Sequence, residues 1–175
     1  MFSVFSDRFL LYQISSAAFK SLSIQPKIVE LGVLDGSNAK KLINTFNPKS
    51  SLFVDAWSSK ELLKNYNTFN PLPSWIKPLS FYEEYFKGPL EQQETFDNLY
   101  SLALANLDGV DNCEIKKSVT FDEFVIQSQQ GNVFDYIYLD ANHQYEYVLR
   151  ELIEWSQLSS SSTLIQLNDC VYSEK

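Results

Sequence analysis

Short apolar runs alternate with stretches of helical period along this chain, and that alternation leaves few ways to fold. "KIVELGV" at 27–33 reads as a buried strand, and "SNAKKLINTF" follows with Ala39, Leu42, Ile43 and Phe46 on one helical face. "SLFVDAW" at 51–57 is a second strand, and "QQETFDNLYSLALANL" restores helical period through Phe96, Leu99, Tyr100, Ala103 and Leu107. "CEIKKSV", "FDEFVIQSQ", "VFDYIYLD", "YEYVLRELIEWSQL" and "STLIQL" then read as strand, helix, strand, helix and strand. An opening helix is expected over 6–22, with Phe9, Leu10, Ile14 and Ala18 as its apolar positions, and the helix after "VFDYIYLD" should bury Tyr145, Val148, Leu149, Leu152 and Ile153. Strands that alternate with helices predict an α/β domain: a doubly wound, mostly parallel sheet covered by helices on both faces.

A length of 175 residues fits one domain, 1–175, with a sizeable core. No apolar run approaches the roughly 18–20 residues of a membrane span, and the N-terminus lacks the basic start of a signal peptide. The two cysteines, Cys113 and Cys170, sit in no metal or redox spacing and fit a reducing cytoplasm. A formal charge of −8 argues against nucleic acid as the partner, because no basic stripe is present to displace counterions. It is easier to reconcile with a small-molecule substrate.

In parallel sheets of this kind, ligands bind beyond the C-terminal ends of the strands, near the point where strand order reverses. The residues at those ends are Glu30, Gly32, Gly36 and Ser37 after the first strand, Asp55 after the second, Asp140 after "VFDYIYL", and Asn168 with Asp169 after the last. Any one such acid could be a helix cap or a turn former. Taken together they read as a ligand crevice. A dinucleotide fold would need G-x-G-x-x-G, but Leu34 and Ser37 stand where the second and third glycines belong.

"VELGVLDGSNA" resembles the first motif of class I S-adenosylmethionine-dependent methyltransferases, E-x-G-x-x-x-G, and "FDYIYLDANHQYEYVLRELIEW" is similar to the D-G-x-H-x-Y-E signature of a small-molecule O-methyltransferase-like branch. The similarity runs over residues 28–169, which would form the cofactor-binding core of a Rossmann-like methyltransferase sheet. The resemblance implies that Gly32 and Gly36 let the loop pass under the methionine part of S-adenosylmethionine. Glu30 would lie beside its charged end, Ser37 near its carboxylate, and Asp55 at the ribose hydroxyls, where a carboxylate suits two donors. Trp57 would cover the adenine or join the core, Ser118 would lie near the adenine, and Asp140 would border the cofactor. His143 would be the general base for a hydroxyl acceptor, with helix capping as the competing role. Some relatives also hold a divalent cation, which here would be Mg2+ on Asp140, Asp169 and Asn168.

Several features depart from that pattern. Ala141 replaces the usual glycine, and "SSSS" at 159–162 replaces a glycine turn before the last strand. The helix and hairpin that relatives place after that strand are not found before Lys175, so an open sheet edge is expected, for a partner, a second copy of the chain or further residues to cover. The stretch from 57 to 90 breaks the pattern with Pro71, Pro73, Pro78 and Pro89 and with "FYEEYF", and is expected to be an irregular insertion: a substrate lid, or a satellite cluster on the sheet. The reading is therefore methyl transfer to a small-molecule or sugar-containing acceptor at oxygen. A non-catalytic methyltransferase-fold interaction module is the alternative, and a nucleic-acid methyltransferase is disfavoured by charge.

Overall fold

The computed structural model describes residues 8–66 and 77–168. After helix α1 (Arg8–Ser21), the order is β1 (Lys27–Leu31), α2 (Ser37–Phe46), β2 (Ser50–Asp55), α3 (Ser59–Tyr66), α4 (Leu79–Phe86) and α5 (Gln93–Asn106). There follow β3 (Cys113–Lys117), α6 (Thr120–Gln129), β4 (Phe134–Leu139), α7 (Tyr145–Trp155), a short 3-10 turn (Ser156–Leu158) and β5 (Ser159–Leu167). The five strands form one parallel sheet in the order β3-β2-β1-β4-β5. The chain walks outward from β1 to β3, then returns to place β4 against the other side of β1. The switch point therefore lies between β1 and β4.

The alternation of a strand assigns each side chain to one of two cores. Ile28, Phe53, Tyr136 and Tyr138 meet α1, α2 and α5 through Tyr12, Phe19, Leu42, Phe46 and Ala103. Val29, Leu31, Leu52, Val54, Ile137 and Leu139 form the opposite layer with Trp155 and Leu158. Glu30 has the parity of Ile28, Asp55 that of Phe53, and Asp140 that of Tyr138. All three acids are thus set on the α1/α2 side of adjacent strands.

Two helices turn a different face inward from the one their apolar residues suggest. In α1 the buried positions are Tyr12, Ser16 and Phe19, while Phe9, Leu10 and Ile14 are exposed. Ser16 is tolerated inside because its hydroxyl donates to the Thr45 carbonyl at 2.8 Å. In α7 the buried residues are Glu151 and Trp155, and Tyr145, Leu149 and Ile153 face outward. Phe124 and Phe134 pack on the Trp155 ring, which draws that side of the helix onto the sheet.

"SSSS" is not a turn before β5. It lies inside the strand, where the register jumps between Phe134↔Ser159 and Tyr136↔Leu164, a bulge tied down by the Thr163 hydroxyl on the Phe134 carbonyl at 2.7 Å. Among the described residues β5 is an edge strand, as is β3. No described helix is long and apolar enough to cross a membrane. Within the insertion, α3 and α4 are described, while Pro71 and Pro73 lie outside the described residues.

Candidate functional site

A cleft of about 1720 Å3 opens at the C-terminal ends of the strands, above the switch point. Ladder hydrogen bonds run one residue past four of the five strands and fix its floor: the Gly32 amide donates to Val54, Asp140 to Leu31, Ser118 to Asp55 and Asn168 to Leu139, all at 2.8–3.0 Å. Glu30, Gly32, Ser37, Asp55, Trp57, Asp140, His143 and Asn168 all line it. Gly36 and Ser118 do not. Asp169 lies outside the described residues.

The two glycines serve the fold directly. Gly32 has φ +88°, and a Cβ there would sit 2.3 Å from the Asp140 carbonyl oxygen, so only glycine lets the ends of β1 and β4 cross this closely. Gly36, at φ +78°, would bring a Cβ to 3.0 Å from the Ala103 Cα, so it admits α5 against the start of α2. Between them Leu34 adopts φ +55°. The Asp55 Oδ2 accepts the amides of Val33 and Leu34 at 2.9 and 3.0 Å, and its Oδ1 accepts the Trp57 amide at 2.8 Å. The Trp57 indole donates to the Leu34 carbonyl at 2.7 Å. Trp57 is only 1% exposed and packs on Tyr100 with ring centroids 4.7 Å apart, which gives it the core position. Asp55 is raised above its usual carboxylate range by burial, against which the backbone amides pull downward.

Glu30 is fully buried beneath the cleft. The Asn38 amide donates to its Oε1 at 2.8 Å, and Oε2 has no hydrogen-bond partner. Burial pushes this carboxyl well above its ordinary range, the negative neighbours Asp140 and Asp55 add to that, and the Asn38 hydrogen bond opposes it. Ser37 opens α2, with its amide taken by the Asp35 side chain at 3.0 Å.

Asp140 gathers donors. Asn168 Nδ2 donates to Oδ1 at 2.8 Å, Arg8 Nη1 stands 3.6 Å from Oδ2, and His143 Nε2 lies 3.7 Å from Oδ1. The imidazole is half-exposed on the cleft wall. The sequence drew attention to Asp140 and His143 by their spacing but not to Arg8, which arrives from α1 with no local signal. Asn38, Tyr12 and the buried Glu151 of α7 were missed for the same reason. A divalent cation finds a poor donor set here: Asn168 turns an N–H toward Asp140, and Arg8 occupies the other oxygen. Among the described residues no group of three metal-ligating side chains occurs. Magnesium is not supported.

The remaining wall is aromatic. Tyr82 and Phe86 from α4 line the cleft beside Phe81 and Tyr85, which are exposed. Phe86 packs on Phe96 of α5 at 5.6 Å.

This is the Rossmann-like fold of the S-adenosylmethionine-dependent methyltransferases. An S-adenosylmethionine-dependent methyltransferase from Agrobacterium tumefaciens is similar over 94% of this chain and 44% of its own, with a TM-score of 0.55 at 11% identity. An O-methyltransferase from Streptomyces achromogenes, involved in tomaymycin synthesis and solved with S-adenosylmethionine, gives 0.54 at 13% identity over 94% of this chain and 56% of its own. An O-methyltransferase from Bacillus cereus, solved with S-adenosylhomocysteine, gives 0.53 at 14% identity over 93% and 56%. The chain thus spans about half the length of these proteins. No protein-family model matches it, and no curated protein does.

Proposed function

We propose that this chain binds S-adenosylmethionine and transfers its methyl group to a hydroxyl oxygen of a small-molecule or sugar-containing acceptor. The observation that carries the reading is the cleft itself: the buried Glu30 and the partly buried Asp55 and Asp140 converge above the switch point of a methyltransferase fold, and Glu30 keeps one oxygen without a partner. A buried carboxyl oxygen without a donor is costly, and a cationic ligand group is the complement it lacks. Glu30 would hold the charged amino end, Ser37 and the Gly32 loop the methionine part, and Asp55 the ribose. Gly36 would act through the loop, and Ser118 would stand behind the adenine.

When bound, S-adenosylmethionine supplies an activated sulfonium methyl, so the protein's share is alignment and removal of the acceptor's proton. His143 stands on the cleft wall with Nε2 3.7 Å from Asp140, and its imidazole would accept that proton. The Asp140 carboxylate would then face an imidazolium and stabilise it. Arg8 and Asn168 hold Asp140 in place for that role. The aromatic α4 wall would cover the acceptor, as a lid or a fixed side. A second reading, a non-catalytic interaction module that pairs with another chain, is favoured by β5 lying at the sheet margin among the described residues, with Leu164 exposed.

Transfer of a labelled methyl group from S-adenosylmethionine to a panel of hydroxylated acceptors tests the proposal. His143→Ala should lower turnover about 10²–10⁴-fold and leave S-adenosylhomocysteine affinity nearly intact. Unchanged turnover in the variant would assign His143 to structure.

A further inference from the structure

We infer that Tyr12 and Asn38 form a positioning relay, which sets the Glu30 carboxyl so that its second oxygen meets an ammonium group of the bound ligand. The inference rests on the cofactor reading above and adds two residues that the sequence did not single out. The relay is a directed chain of hydrogen bonds. The Tyr12 hydroxyl donates to Asn38 Oδ1 at 3.1 Å, and Asn38 Nδ2 donates to Glu30 Oε1 at 2.8 Å.

Direction matters because an amide has two unlike ends. Were Asn38 to turn over, its oxygen would face the Glu30 carboxylate, and two acceptors would meet. The Glu30 oxygen takes the N–H end, and the Tyr12 hydroxyl, by donating to the oxygen end, satisfies Asn38 in that orientation. Burial pushes the Tyr12 hydroxyl up to about 12, so it stays protonated and keeps donating across the working pH range. The Tyr12 ring is itself immobilised by edge contacts with Phe9 and Tyr138 at 5.8 and 5.5 Å. With Oε1 thus occupied, Oε2 is the oxygen left for a ligand.

The partner of Oε2 is identified by charge and by polarity. Glu30 is fully buried, its second oxygen has no partner, and Asp55 and Asp140 add negative potential from the strands on either side. Among the described residues Arg8 is a positive group that also acts on it, and its guanidinium faces Asp140. A donor that is also a cation answers both needs, and a primary ammonium fits a single oxygen as a point charge. Tyr12 does not line the cleft, and its hydrogen-bonded route to a ligand runs through Asn38 and Glu30, which do.

The test uses two ligands, S-adenosylhomocysteine and 5′-methylthioadenosine, which share the thioether and the nucleoside but differ in the amino-acid end. Calorimetric titration of the whole chain with both should show Tyr12→Phe weakening S-adenosylhomocysteine about threefold to tenfold, the worth of one hydrogen bond, with 5′-methylthioadenosine unchanged. Asn38→Ala should weaken the first ligand at least as much and again spare the second. Tyr12→Phe keeps the packed ring, so it reports even where Asn38→Ala fails to fold. Parallel loss of both ligands, or no loss of either, would overturn the relay while leaving the cofactor reading standing. An intact chain that binds neither ligand would overturn both.

Discussion

Glu151 offers a prediction whose size follows from the structure. It is buried on α7, 2% exposed, and its Oε1 accepts the Thr120 hydroxyl of α6 at 2.6 Å. Burial raises its carboxyl from the ordinary 4.5 to about 7, with Glu154 adding to the rise and the Thr120 hydrogen bond opposing it. The folded protein therefore holds the proton more tightly than the unfolded chain. The stabilising proton is fully present in both states below about pH 4.5, and the stability it confers is lost as pH rises to about 7. At about 1.36 kcal/mol per pH unit, the ionised residue costs about 3 kcal/mol above that range. Glu151→Gln keeps an acceptor for Thr120 and cannot ionise. Its advantage over the natural protein should grow by about 2 kcal/mol between pH 5.5 and 8.5. Urea unfolding of both proteins at these pH values measures it, since titrating groups that do not interact with Glu151 cancel in the difference. A difference that stays constant with pH would refute the argument.

Two further outcomes are expected. Gly32→Ala should cost about 3 kcal/mol or more, because its Cβ would meet the Asp140 carbonyl oxygen at 2.3 Å, whereas Gly109→Ala, at φ +71° with nothing within 4 Å, should cost only about 1–2 kcal/mol; thermal melts of the two compare steric conflict with strain alone. Replacing Phe81 and Tyr85 by alanine should change which acceptors are methylated while leaving S-adenosylhomocysteine affinity within about twofold; a loss of cofactor affinity equal to the loss of acceptor preference would show that α4 supports the fold instead.

The fold was legible because the apolar runs of β1, β2 and β4 are buried on both faces and admit no other placement. Strand ends followed directly, so Glu30, Asp55, Asp140 and Asn168 could be placed at one rim. Helix faces were less legible. Tyr12, Ser16 and Phe19 do not look more apolar than Phe9, Leu10 and Ile14, and only the Thr45 carbonyl and the Asn38 amide explain why the former turn inward. Glu151 was hidden for the same reason, since nothing local announces that Thr120 will meet it. The glycines lie in the turn between β1 and α2, but their close neighbours are protein backbone and α5, which spacing cannot reveal. Trp57 likewise shows how a residue beside a ligand rim can be bound to the loop: its indole belongs to the Leu34 carbonyl. Arg8 was out of reach, because its meeting with Asp140 joins the first described helix to the end of β4.

The most direct measurement is calorimetric titration of the intact chain with S-adenosylhomocysteine, repeated with Asp55→Ala. The account predicts saturable binding at one site, lost or strongly weakened in the variant, because Asp55 both orders the Val33 and Leu34 amides and faces the cleft. No heat of binding to the intact chain, or undiminished affinity in Asp55→Ala, would contradict the assignment of this cleft to S-adenosylmethionine.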